Sequence, residues 1–212
     1  MLKLENINVI LNKIHILKDI NFEFKNWILI VFWKSGSWKS TLLNTILWSV
    51  KPTKWKIYLK ENNKYKDITW LKIEQRNIWI LFQDLILFPN LTIEENINVW
   101  KNKDNNLKEN LIKKFWIKHL LKKYPHEISW GEAQRVALIR TVITKPKILL
   151  LDEPFSSLDE INKKIIKQEI KSLVKELNIP TILISHDIDD INYFWWQFIE
   201  IEDWKIKKQK IF

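Results

Sequence analysis

The stretch Phe32–Thr41 reads Phe-Trp-Lys-Ser-Gly-Ser-Trp-Lys-Ser-Thr, and it limits what this chain can become more than any other. It follows the apolar run Ile28–Phe32 and leads into a helical pattern, Ser40–Val50. A strand, a tight loop ending in Lys-Ser-Thr, and a helix are the parts of a phosphate-binding loop, G-x-x-x-x-G-K-[ST]. In such a loop, backbone N–H groups and the positive helix end hold phosphates. The Lys reaches the outer phosphates and the Ser hydroxyl reaches Mg²⁺. Lys39 and Ser40 are in place, but both pattern glycines, at 33 and 38, are tryptophan. The loop needs positive φ and close backbone approach to its ligand, and an indole fills the phosphate site. Either the site is dead or the letter is wrong.

Composition bears on that choice. The chain has 2 Gly and 13 Trp in 212 residues. Together they reach about 7%, the ordinary share of glycine alone. The tryptophans also stand where turns want glycine. Asp203-Trp204 lies between Phe198–Glu202 and Lys205–Lys208, a hairpin whose turn should read Asp-Gly. Asn26-Trp27 precedes the first buried strand in the same way, and Pro52–Trp55 reads as a type I turn with Trp in the glycine slot. A gene that uses UGA for glycine, translated with a table that reads UGA as Trp, produces this pattern. The competing reading is a Trp-rich, degenerate protein.

At 212 residues and 46% hydrophobic content the chain is long enough for one domain with a sizeable core. It has no cysteine, which excludes disulfides and thiolate metal sites and fits a reducing compartment. No apolar run approaches the ~20 residues of a membrane span, and no signal peptide is visible. The net charge of +10 raises nucleic acid or an anionic membrane as a partner. Abundant Lys, Ile and Asn throughout, as an AT-rich gene produces, explain the charge better, so no nucleic-acid partner is expected.

Leu2–Ile7, Ile20–Phe24, Ile28–Phe32 and Lys56–Leu59 read as strands. Ile78–Phe82 is another, ending at Gln83-Asp84, where a Gln beside a phosphate site can touch Mg²⁺ or the attacking water. Thr92 with Glu95 forms a capping box. Asn102–Asn106 is a polar loop, and Asn110–Lys123 has helical spacing broken by Trp116. In Ile128–Arg140, Ser129 is an N-cap with Glu132 completing the box, and such a helix start is also an anion site. Ile148–Leu151 reads as a central parallel strand, with Asp152 and Glu153 where α/β sheets place ligands. Asp152 suits Mg²⁺ through water, and Glu153 suits the attacking water. Asp159 caps a helix, Glu160–Leu177. Thr181–Ile184 is a strand ending at Ser185-His186-Asp187. His186 at a strand end suits a γ-phosphate contact, though a lone His there is more often a helix-cap neighbour.

In this order and spacing the P-loop, Gln83, Ser129–Gln134, Asp152-Glu153, Ser157-Leu158-Asp159 and His186 resemble the ATP-binding subunit of an ABC transporter. The resemblance runs from Leu2 to about Lys207. With Trp read as Gly, Ile128–Gln134 becomes Ile-Ser-Gly-Gly-Glu-Ala-Gln, very close to that family's signature. Asp-Glu-Pro-Phe-Ser-Ser-Leu-Asp, Phe82-Gln83-Asp84 and Leu87-Phe88-Pro89 resemble importer cassettes for iron(III), thiamine, molybdate or sulfate. Maltose and polyamine cassettes carry a further C-terminal regulatory domain, which is not expected here.

The resemblance implies an α/β P-loop NTPase with a RecA-like mixed-sheet core, an antiparallel β edge and a helical insert. It implies a single ATP-binding domain over 1–212, with its core at about 1–84 and 146–212 and the insert at about 85–145. ATP is expected on Trp33, Lys34, Ser35, Gly36, Ser37, Trp38, Lys39, Ser40 and Thr41. Ser129, Trp130, Gly131, Glu132 and Asp159 are expected to reach it from a facing cassette. Mg²⁺ falls to Ser40, Gln83 and Asp152, and catalysis to Glu153, His186 and Gln83. The implied partners are a second cassette, permease subunits and, indirectly, a solute-binding protein, at the cytoplasmic face of the membrane. The family's adenine-stacking aromatic has no obvious counterpart, the candidates being Ile10 and Leu11 with His15 nearby. Three readings stay open: an active importer ATPase, a pseudo-cassette that cannot close on ATP, and a cytosolic P-loop ATPase of DNA repair or translation.

Overall fold

In the computed structural model, β1 (Leu2–Leu11) and β2 (Ile14–Phe24) form one long antiparallel hairpin. The expected strands, Leu2–Ile7 and Ile20–Phe24, are its far ends. The turn at Asn12 and Lys13 has φ of 48° and 65°, a left-handed pair that Asn tolerates. β3 (Ile28–Trp33) leads to α1 (Lys39–Leu47), which stops three residues short of the expected Val50. β4 (Lys54–Glu61) begins before the expected Lys56, so Trp55 belongs to a strand and not to a turn. β5 (Lys64–Asp67) was not expected; it pairs with β4, and its exposed polar residues give no hydrophobic signal.

A short helix, α2 (Ile73–Arg76), precedes β6 (Ile78–Leu81). Then come α3 (Ile93–Asn98), α4 (Asn105–Lys114), α5 (Trp130–Val142), β7 (Ile148–Asp152) and α6 (Glu160–Leu177). Asp104 caps α4, so Asn105 and Asn106 are helical rather than loop. α4 also ends at Lys114, well before the expected Lys123. The chain finishes with β8 (Thr181–Ser185), α7 (Ile188–Phe194), β9 (Gln197–Glu202) and β10 (Lys205–Ile211).

The structure describes residues 2–24, 27–33, 39–47, 49–50, 54–61, 64–100, 104–194 and 196–211, with the backbone alone at Lys39, Ser40 and Lys54. The expected turn residues Asn26, Pro52 and Thr53 lie outside that set, as do Lys34, Ser35, Gly36, Ser37 and Trp38. Among the described residues no helix is long and apolar enough to cross a membrane.

Two compact units divide the chain, Met1–Ile78 with Pro180–Phe212, and Trp79–Ile179. In the first, an antiparallel sheet runs β2-β1-β4-β5, and a mixed set of strands runs β10-β9-β3-β8. β3 is parallel to both β8 and β9, and β9 is antiparallel to β10. All residues of β3 and β8 are buried, the continuous apolar run expected of parallel strands covered on both faces. Gln197 ties β9 to β2 by donating to the Glu23 carbonyl at 2.8 Å. Arg76 is 1% exposed. Its guanidinium donates to the carbonyls of Ile46, Thr69 and Leu71 at 2.6, 2.7 and 2.9 Å. Ile46 lies in the last turn of α1, so a buried cation closes the negative end of the helix that the phosphate-binding loop opens. Burial pushes the Arg76 pKa down to about 10, still protonated at neutral pH.

In the second unit β7 lies beside β6, with β7 wholly buried. Four helices there start on side-chain caps: Thr92 on α3, Asp104 on α4, Ser129 on α5 and Asp159 on α6. The carboxylates of these caps sit below their ordinary range. In each case an N–H of the helix start is the main cause: Thr92 for Glu95, Leu107 for Asp104, Ser129 for Glu132 and Asn162 for Asp159. Depressed folded values mean stability that is present above the unfolded carboxylate range, about pH 4, and is lost as pH falls through the folded values. The urea midpoint therefore falls as pH drops from about 5 to 3. Glu132→Gln, which cannot ionise, flattens part of that slope.

Candidate nucleotide site

In the first unit the site begins with register. The pairing of β3 with β8 sets Val31 opposite Ile184 and Phe32 opposite Ser185. The next residues are Trp33 and His186, so the start of the phosphate-binding loop and His186 leave adjacent parallel strands at the same end. That end is where open α/β sheets place ligands. Trp33 is buried and lies in the strand without left-handed φ. The expectation of positive φ therefore fails at 33, and the case for glycine there rests on close approach alone. α1 starts at Lys39, and Thr41 is buried with its carbonyl accepting the Thr45 hydroxyl at 2.7 Å.

His186 is exposed on a turn that is tied on both sides. The Ser185 hydroxyl accepts the Asp187 N–H at 3.0 Å and donates to the buried Asp190 carboxylate. Asp187 in turn accepts the Asp189 N–H at 2.9 Å. The hairpin turn that includes Ile10, Leu11 and His15 presents exposed aliphatics and an exposed imidazole, and no Phe, Tyr or Trp.

The second unit holds the acids and the signature. Asp152 ends β7 and is 9% exposed. Glu153 follows with φ 46°, a left-handed position rarely given to a non-glycine, and its carbonyl accepts the Ser156 hydroxyl at 3.1 Å. Gln83 is exposed, two residues past β6. Asp159 accepts the N–H groups of Ile161 and Asn162 at 3.1 and 3.0 Å. The capping box of α5 forms as expected: Glu132 accepts both the N–H and the hydroxyl of Ser129 at 2.8 Å. Trp130 and Gly131 are the first two residues of that helix. A Cβ at Gly131 would meet only Asn162, at 3.7 Å, which is ordinary contact. Among the described residues, no neighbour requires glycine at 131. Gln134, on the same helix, donates to the carbonyl of Pro154 beside Glu153, and its own buried Oε1 has no hydrogen-bond partner among the described residues.

Asn96, Arg140 and Asp190 hold backbone or side chains of these loops, and Arg76 the end of α1; none of them is singled out by a sequence motif. The signal that finds them is burial of a polar side chain, which appears only in three dimensions.

Strand, phosphate-loop helix and acids at a strand end define a P-loop nucleotide hydrolase. The family model described as ABC transporter matches residues 17–156. The chain is 33% identical over 213 residues to the probable sulfate/thiosulfate import ATP-binding protein CysA of Chlorella vulgaris, covering 96% of this chain and 88% of that one. It is 33% identical over 198 residues to the Fe(3+) ions import ATP-binding protein FbpC 2 of Haemophilus influenzae, covering 90% of this chain and 56% of that one. Among solved structures, the ATP-binding cassette MJ0796, in a dimeric post-hydrolysis state bound to ADP and Pi, superposes with a TM-score of 0.83 at 26% identity. That match covers 100% of this chain and 98% of MJ0796. The chain belongs to the ABC transporter family.

Proposed function

We propose that the chain binds and hydrolyses ATP as the nucleotide-binding subunit of an ABC transporter of the import type. The observation that carries this is the family match together with the ordered motifs, Lys39–Thr41, Gln83, Ser129–Glu132, Asp152-Glu153, Asp159 and His186. Two cassettes pair head to tail, a reading supported by the dimeric MJ0796 structure. Ser129 and Gly131 of one cassette then face the γ-phosphate held by Lys39, Ser40 and Thr41 of the other. Mg²⁺ fits the donors: the Asp152 carboxylate, buried at its strand end, the Gln83 amide oxygen and the Ser40 hydroxyl are hard oxygen ligands. When bound, Mg²⁺ neutralises charge developing on the phosphates. Glu153 orients or deprotonates the attacking water, and His186 assists at the γ-phosphate. The cassette sits on permease subunits at the cytoplasmic face of the membrane, with a solute-binding protein as an indirect partner. The substrate is a small solute or a metal ion, a reading supported by the sulfate/thiosulfate and Fe(3+) import relatives. ATP turnover by the pure protein tests the reading.

We infer as well that the thirteen tryptophans occupy glycine positions. Ten of them are described, and among these only Trp33 is buried, although indoles are highly buried on average. Trp116 has φ 56° and is 84% exposed. It follows the Phe115 C-cap of α4, and its N–H bonds the Lys113 carbonyl at 3.2 Å while that of Ile117 bonds the Ile112 carbonyl at 3.2 Å. This pair of bonds is the Schellman helix stop, whose left-handed residue is usually glycine. Asp203 and Trp204 have φ 48° and 65° between paired Glu202 and Lys205, the two-residue type I′ turn that favours Asp-Gly. A left-handed L-residue costs roughly 1–2 kcal/mol, and glycine returns part of that through its freer unfolded chain. Trp116→Gly is expected to stabilise the protein by about 1 kcal/mol in urea unfolding. Trp204→Gly is expected to gain about half as much. It also removes the ring that Lys18 Nζ approaches at 4.9 Å.

A further inference from the structure

The loop after β6 carries Gln83 and is held in an unfavourable shape from outside. Leu85 and Ile86 both take left-handed backbone, at φ 57° and 44°, and Ile86 is β-branched. Such conformations persist only where the surroundings over-determine them. Arg140, on the last turn of α5, supplies the restraint. Its Nη2 and Nη1 donate to the carbonyls of Leu85 and Ile86, each at 2.8 Å, and its guanidinium lies 5.7 Å from the centroid of the Phe88 ring. The side chain is 9% exposed, and burial lowers its pKa. Asn96 of α3 fixes the next turn. It accepts the Phe88 N–H at 2.8 Å, and the two hydrogens of its Nδ2 are shared among the carbonyls of Phe88, Leu91 and Thr92 at 3.0–3.1 Å.

α5 is the helix that Ser129 caps, and through Gln134 it also touches the backbone at Pro154, one residue from Glu153. One helix therefore grips the loop of Gln83 at one end and the turn of Glu153 nearer the other. We propose that Arg140 is a positioning residue through which α5 fixes where Gln83 is presented during ATP hydrolysis. The proposal rests on the ATPase reading above. Lysine at 140 keeps the charge but cannot span two carbonyls with a planar fork.

The test uses the full chain with glycine at the thirteen sites, compared with Arg140→Lys, Gln83→Ala and the double variant. Arg140→Lys is expected to lower kcat by about ten- to a hundredfold with KM for ATP unchanged, as small misplacements of a catalytic group do. In the Gln83→Ala background it is expected to cost nothing further. Costs that multiply, or a rise in KM with kcat intact, overturn the proposal. Amide hydrogen exchange without nucleotide gives an independent reading: exchange at Leu85, Ile86 and Phe88 speeds up in Arg140→Lys, and unchanged exchange overturns the clamp. Should the parent chain show no turnover while exchange responds, the ATPase reading fails and the clamp stands. Should Arg140→Lys not fold, Arg140→Gln, which leaves no buried charge and can reach at most one of the two carbonyls, is expected to give the same loss of kcat and faster exchange. An unaltered kcat there overturns the proposal.

Discussion

With glycine at all thirteen tryptophan positions, the chain hydrolyses ATP in the presence of Mg²⁺, and Glu153→Gln in the same chain lowers turnover by about 10²- to 10⁴-fold. The size of that loss follows from the part proposed for Glu153. A positioned general base contributes this much, whereas phosphate binding draws on other groups, so ATP affinity stays within a few fold. Glu153 stands directly after Asp152 at the end of a fully buried strand, with its backbone at φ 46°. Glutamine keeps the shape and removes the basicity. The assay is steady-state phosphate release with the variant as its control. Turnover that does not exceed the control counts against the ATPase reading and favours a pseudo-cassette. Turnover lost together with ATP affinity would instead make Glu153 a binding group.

Returning tryptophan to position 38 alone, in the otherwise glycine-bearing chain, abolishes nucleotide binding, with affinity falling at least about 100-fold, some 2.7 kcal/mol. Position 38 directly precedes Lys39, the first residue of α1, where the helix's N–H groups point out towards an anion. A side chain of indole size there competes with the phosphate for the same volume. Tryptophan returned to position 33 is expected to be milder, because the buried end of β3 holds Trp33 in an extended backbone. Fluorescent-nucleotide titration of the two single variants separates the positions. Equal, unimpaired binding in both would mean that neither glycine matters to the phosphate site.

What the sequence disclosed depended on how local its cause was. The Ser129–Glu132 and Thr92–Glu95 boxes each bind within four residues, and both form as read. The helix Glu160–Leu177 has a cap and a clear apolar stripe, and its bounds match. The Asp203-Trp204 turn was legible once Trp was read as Gly, since two-residue hairpins have few solutions. The Asn12-Lys13 turn has the same left-handed geometry but no glycine signal, so in one dimension only the two far ends of the long β1–β2 hairpin show as strands. β5 has no buried residue to mark it, and Asp104, the cap of α4, stands in a stretch that reads as a polar loop. Arg76 and Arg140 look like surface charges in one dimension. Their roles come from carbonyls 30 and about 54 residues away in the chain, which no local pattern encodes. The candidate site reads in one dimension as an ordered set of motifs; what holds each loop in place does not.

The most direct test of the account is peptide mass spectrometry of the protein purified from its own source, read across residues 33–40 and at 116 and 204. The account predicts the mass of glycine at each tryptophan position in those peptides. Tryptophan masses at 38, 116 and 204 would contradict it.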